Sequence, residues 1–258
     1  MKILTAALSL AALLFLAANA SAEATSGFGH GYVWQPYYSP GAALLLDSFY
    51  FRYSDEDHHV ESLAAKLEPD GYITLALKDQ NEDDEYFYSV EHTPRADAGI
   101  ITGSFVDFCN GSCLYPLTSP GAGYVFALSS FRFYYRGDDH HMDQIGILLE
   151  SDGVRTYFND KNDDDPYVVY VDYAWLPASM VEQTGQLTGT DDGGGVQTEL
   201  PNANRAIISG FLVDYLYGGD HHVREIGVLT RTSDVQIYYG DKNGDDDFSY
   251  VVDYAILH

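Results

Sequence analysis

Residues 131–173 read FRFYYRGDDHHMDQIGILLESDGVRTYFNDKNDDDPYVVYVDY, and this stretch decides the fold because its pattern occurs three times in the chain. An aromatic run leads into an Asp-His-His step, then two short apolar runs joined by a turn, then an acidic turn of pattern Asp-x-Asn-x-Asp-Asp, then a closing run rich in Tyr and Val. The steps are Asp57-His58-His59, Asp139-His140-His141 and Asp220-His221-His222. The acidic turns open at Asp79, Asp160 and Asp241, 81 residues apart each time. A period of that length is a small domain rather than a solenoid unit. The sequence therefore predicts three tandem copies of one module, over residues 23–95, 96–177 and 178–258.

The register extends into the apolar residues. Phe49 to Tyr53, Phe131 to Tyr135 and Phe211 to Tyr215 precede the histidines, and Tyr86 to His92, Tyr167 to Tyr173 and Phe248 to Tyr254 follow the acidic turns. Copies two and three share Ile145-Gly146-Ile147-Leu148 and Ile226-Gly227-Val228-Leu229, where copy one has Leu63-Ala64-Ala65-Lys66. Copy one is the drifted member. The runs are five to eight residues long, rich in Tyr, Phe, Val and Ile, and punctuated by steps such as Asp70-Gly71 and Asp152-Gly153. That is the signature of strands and tight turns, and the 22 tyrosines and 13 phenylalanines suit strands with one face buried. The expected fold class is all-β: three small antiparallel β-sandwich modules, lectin-like or jelly-roll-like, with no lectin residue motif to match. At about 75 to 80 residues each module is small for a core of its own, so the copies are expected to pack on one another.

Ahead of the repeats, Lys2, an apolar stretch from Ile3 to Leu16 and an Ala20-Ser21-Ala22 step before Glu23 form the pattern of a secretory signal peptide over residues 1–22. The stretch is short for a bilayer span. The expectation is an exported protein, periplasmic or extracellular, that does not span a membrane. Two Gly-rich segments need separate readings: Ser26 to Tyr38 as an opening strand of copy one or a flexible arm, and Thr188 to Val196 as a mobile loop of copy three.

Thirty-nine acidic residues against 13 basic ones give a net charge of −26, which disfavours nucleic acid and anionic lipid as partners. Crowding of carboxylates in the repeated turns is relieved by cations. The candidate ligands are Asp79, Asn81, Asp83 and Asp84 in copy one, Asp160, Asn162, Asp164 and Asp165 in copy two, and Asp241, Asn243, Asp245 and Asp246 in copy three. Hard oxygens at alternate positions suit a divalent cation, calcium first. The turn resembles the first half of an EF-hand loop in that spacing. It departs from that family at Asp84, Asp165 and Asp246, which stand where the glycine would, and in having strand flanks and no closing Glu.

If consecutive strands run antiparallel, each Asp-His-His loop shares a rim with the acidic turn of its own copy. Asp57, His58, His59, Asp139, His140, His141, Asp220, His221 and His222 thereby join the candidate ligand set, with one histidine of each pair facing the site. Imidazole ligands would shift preference toward zinc or another transition ion. Asp57, Asp139 and Asp220 as turn caps, with solvated acidic turns, form the plainer alternative.

Cys109 and Cys113 flank an Asn110-Gly111-Ser112 turn and are expected to close a short disulfide in an oxidising compartment. No Gly-x-Ser-x-Gly or His-Glu-x-x-His step is present, so the chain is read as no enzyme. Tandem copies favour avidity in binding an extracellular or envelope ligand, glycan among them, with Tyr53, Tyr134, Tyr135, Tyr215 and Tyr217 as rim aromatics. The alternatives are a cation-rigidified structural component, with self-association among its expected interactions, and a metal-dependent hydrolase.

Overall fold

The computed structural model describes residues 23–37, 41–54, 59–79, 84–135, 141–160, 166–192, 195–216, 222–241 and 246–258. The predicted signal segment lies outside them. The described chain is nearly all strand, and each copy supplies six. Copy one forms β1 (Glu23–His30), β2 (Tyr32–Pro36), β3 (Ala43–Tyr53), β4 (Val60–Leu67), β5 (Tyr72–Asp79) and β6 (Glu85–Arg95). Copy two forms β7 (Ile101–Asn110), β8 (Ser112–Pro116), β9 (Tyr124–Tyr135), β10 (Met142–Leu149), β11 (Gly153–Asp160) and β12 (Pro166–Pro177). Copy three forms β13 (Val181–Asp191), β14 (Val196–Glu199), β15 (Ala206–Tyr215), β16 (Val223–Thr230), β17 (Asp234–Asp241) and β18 (Phe248–Leu257). The local cause is period-two patterning: in β6, Tyr86, Tyr88, Val90 and His92 are buried while Glu85, Phe87, Ser89 and Glu91 face outward.

The strands make three antiparallel six-stranded sheets, ordered β1-β6-β3-β16-β17-β14, β13-β18-β15-β10-β11-β8 and β2-β5-β4-β9-β12-β7. Each sheet joins three strands of one copy to three of another. Within a copy the first, third and sixth strands enter one sheet and the second, fourth and fifth enter its neighbour. The opening strand is broken where it crosses: Gly31 (φ 55°) separates β1 from β2, and Gly111 (φ 66°) separates β7 from β8. A left-handed residue reverses the local pleat, and glycine adopts it without strain. The Gly-rich segment of copy one is thus β1 and β2, and residues 188–191 of the segment read as a loop extend β13.

The seams between copies run down the middle of the sheets, where β3 meets β16, β9 meets β4 and β15 meets β10. Gly227 lies opposite Tyr50, Gly146 opposite Leu212 and Ala64 opposite Arg132. A Cβ on Gly227 would stand 2.6 Å from the Phe49 carbonyl oxygen, and one on Gly146 2.4 Å from that of Phe211. The repeated Ile-Gly pair of the sequence is therefore a close-approach device that lets one copy's backbone lie against the next.

Bulges recur at equivalent positions. Asp47, Ser129 and Ser209 are the extra residues where β3, β9 and β15 pair with β6, β12 and β18. Glu61, Asp143 and Arg224 are the extra residues at the start of β4, β10 and β16. Together with the cyclic sharing of strands among the three sheets, these repeated irregularities relate the copies by a pseudo-three-fold axis, with the sheets packed around a common core. Phe49, Phe131 and Phe211 close a triangle on that axis, with ring centroids 5.1, 4.8 and 5.4 Å apart and no exposure. Such pairs contribute about 0.5–1.5 kcal/mol each beyond the area they bury. Leu45, Ala127 and Ile207, four residues earlier on the same strands, belong to a smaller cluster with Met180 and Leu257 that closes one end.

Candidate metal centre

At the other end of the axis the chain presents histidines. β3, β9 and β15 run away from the Phe triangle, and each copy then turns into the next sheet through its Asp-His-His loop. His59, His141 and His222 stand immediately before β4, β10 and β16, and the bulge two residues later turns the strand as it enters the sheet. His59, His141 and His222 occupy equivalent positions ahead of their strands, and the three imidazoles meet. Ring centroids are 4.6 Å apart for His59 and His141, 4.7 Å for His59 and His222, and 4.9 Å for His141 and His222.

The Nε2 atoms of His59 and His141 lie 3.3 Å apart, and one ring nitrogen of each of the three histidines falls within 4.8 Å of the others. Two nitrogens bound tetrahedrally to zinc at about 2.0–2.1 Å stand about 3.3 Å apart. One pair already has that spacing. All three rings are half-buried, which limits the rotamers they must give up while leaving an approach for an ion. Three imidazoles are borderline ligands that prefer zinc, copper, nickel or cobalt to calcium or magnesium.

The acidic turns open beside this cluster. Val60 pairs with Asp79, Met142 with Asp160 and Val223 with Asp241, so the residue following each of these histidines faces the first residue of an acidic turn. Asp79 and Asp241 are buried, while Asp84 and Asp246 are half-buried. Their charge is felt beneath the rim: burial first, then Asp79 and Asp84, holds the Tyr53 phenol well above its ordinary range. Burial, then Asp241 and Asp246, does the same to Tyr215. Asp79 and Asp241 thus set carboxylates beside the histidine end of the axis.

Of the remaining predicted ligands, Asp160 is placed as the last residue of β11. Asn81, Asp83, Asn162, Asp164, Asp165, Asn243 and Asp245 lie outside the described residues, as do Asp57, His58, Asp139, His140, Asp220 and His221. The sequence reading assigns each histidine pair to the acidic turn of its own copy. The structure places His59, His141 and His222 beside the first residue of that turn and also brings the three together across copies. The signal for this was present in the three-fold recurrence of one imidazole position, but it becomes a site only once the copies close into a ring.

The expected Cys109–Cys113 disulfide is not formed, and both residues are free thiols. Cys109 and Cys113 stand on either side of the break at Gly111, and the buried Cys109 Sγ lies 3.9 Å from the Thr156 Oγ1. Burial, then the neighbouring Cys113, pushes the Cys109 thiol up to about 12.

No protein-family model matches this chain, and no curated protein matches it in sequence. Among solved structures, one from a study of the atomic structure of Sulfolobus Turreted Icosahedral Virus is 10% identical over 87% of this chain and 82% of that chain, with a TM-score of 0.15. Another, from a study of the triple jelly roll fold and turret assembly in an archaeal virus, is 9% identical over 87% of this chain and 81% of that one, also with a TM-score of 0.15. At that score neither alignment bears on fold or function.

Proposed function

We propose that this is an exported, non-catalytic metal-binding protein whose three copies jointly hold one divalent transition-metal ion, zinc foremost, through His59, His141 and His222. The convergence of the three imidazoles on the pseudo-axis carries this reading. Placing the ion there ties the three sheets together, because each ligand stands at the entry to a different sheet. The non-catalytic reading rests on the sequence, which carries no Gly-x-Ser-x-Gly or His-Glu-x-x-His step. Export rests on the charged and then apolar segment over residues 1–22.

A second class of ion belongs to this reading. The burial of Asp79 and Asp241 at the mouths of two acidic turns favours calcium in those turns, one ion per copy, alongside the axial transition ion. Cobalt substitution separates the two. Cobalt(II) on three imidazoles in a tetrahedral field gives intense visible absorption, which His141→Ala removes and excess calcium leaves unchanged. A cobalt spectrum indifferent to His141→Ala refutes the axial site.

A further inference from the structure

The three copies act as internal controls for one another at the end of the molecule opposite the histidines. In copy two, Glu150 closes the turn between β10 and β11, and Arg155 lies across it. Arg155 Nε donates to Glu150 Oε1 at 2.6 Å and Nη2 donates to Oε2 at 3.0 Å, a bidentate pair. The register identifies the same positions in copy one. Glu68 N bonds the Tyr72 carbonyl as Glu150 N bonds that of Gly153, and Trp34 faces Thr74 as Leu114 faces Arg155. Glu68 is retained in copy one, but Thr74 stands where copy two has its arginine, and Thr74 Oγ1 donates to Glu68 Oε1 at 2.9 Å.

The place of the missing guanidinium is a cleft lined by Trp34, Glu68, Pro69, Asp70 and Tyr72. Trp34 is 61% exposed and Tyr72 42%, on an edge strand and its neighbour. The fold does not demand aromatic groups there. The equivalents of Trp34 are Leu114 and Gln197, and those of Tyr72 are Gly153 and Asp234. One step along the same face, Tyr32 already carries a guanidinium: the Arg132 Cζ lies 4.8 Å from its ring centroid. An aromatic face beside carboxylates, in a chain of net charge −26, is complementary to a planar cation.

We propose that this cleft binds the guanidinium of an arginine side chain presented by a partner protein, with Trp34 as the stacking face, Glu68 as the fork acceptor that Glu150 is in copy two, and Asp70 as a second acceptor. The inference does not rest on the metal centre.

The test titrates the full chain with a short blocked peptide containing one arginine and with its citrulline analogue, which keeps the shape and loses the charge. Trp34 fluorescence is the readout, since Trp175 is buried and supplies a constant background. The arginine peptide is expected to give a saturable change at least about tenfold stronger than citrulline, weakening with salt. Thr74→Arg restores the copy-two arrangement from within and is expected to abolish binding in a protein that still folds, and Trp34→Leu to abolish it by removing the platform. Calorimetry reads the tryptophan variant. Equal response to the two peptides, undiminished binding by Thr74→Arg, or binding of a neutral oligosaccharide without any response to arginine overturns the proposal.

Discussion

His59 and His141 lie 82 residues apart in sequence, yet their Nε2 atoms are separated by 3.3 Å. Neither histidine reaches the other through a hairpin or a shared strand. They meet because each loop leaves one sheet for the next at the same end of a pseudo-three-fold assembly, so the distance between them measures how well the three copies close.

Metal binding at this point stabilises the closed ring by linkage. Zinc at one hundred times its dissociation constant is expected to add about 2.7 kcal/mol to the unfolding free energy. His222→Ala is expected to abolish that increment, whatever the variant's own stability in chelator. Urea denaturation with and without zinc checks this, and a zinc-dependent increment that survives in the variant contradicts it.

The Phe triangle supports the ring from within. Phe131→Ala is expected to cost about 3–5 kcal/mol, the range for a buried Phe. Because Phe131 packs against both Phe49 and Phe211, the loss is shared by three copies and unfolding stays a single transition. Calorimetry resolving two transitions would show that the copies melt separately.

Seam glycines make a complementary prediction. Gly227→Val drives a branched side chain against the Phe49 carbonyl and the Tyr50 backbone, and overpacking of this kind costs about 1–3 kcal/mol. Ser151→Val, on the exposed turn of copy two, is the control and is expected to change stability by less than about 0.5 kcal/mol. Equal effects of the two changes in denaturant would contradict the seam.

Two buried groups give stability opposing dependences on pH. Burial first, with Glu91 adding to it against the Thr93 hydrogen bond, raises Asp47 to about 7. The folded state therefore holds a proton that the unfolded chain releases near 4, and Asp47 lowers stability as pH rises from about 4 to about 7. Burial lowers His92 to about 4, although its Nε2 donates to the Ser129 carbonyl at 2.8 Å. His92 therefore removes stability as pH falls from about 6.5 toward 4. Asp47→Ser copies Ser129 and Ser209 at the same bulge, and its advantage over the parent is expected to grow with pH by up to about 1.4 kcal/mol per unit between 4 and 7. Denaturant midpoints at pH 5, 6, 7 and 8 check the trend, and an advantage that shrinks with pH contradicts it.

Much of the fold was legible in the residues. Alternation in runs such as Tyr86 to His92 reports strands directly, because the pleat places every second side chain in the core. The three-fold repeat reports itself through Asp79, Asp160 and Asp241. Which strands pair was not legible: β4 lies beside β9 of the next copy rather than β3 of its own, and the residue that permits this at the other seams, a glycine, reads equally well as a bulge or a turn. The metal centre was half visible for the same reason. The ligands His59, His141 and His222 were identifiable as repeated imidazoles, but their convergence follows from ring closure, a long-range property that no local window contains. Cys109 and Cys113 looked like a clip because their spacing suits a turn; both are free thiols on either side of the Gly111 break, where the chain passes between sheets.

The number of ions per chain decides the central claim. Protein freed of metal by chelation and titrated calorimetrically with zinc is expected to take up one ion per chain, and each of His59→Ala, His141→Ala and His222→Ala is expected to remove that uptake. Uptake of three equivalents, or of one that persists in all three variants, would place the ion elsewhere and contradict the axial site.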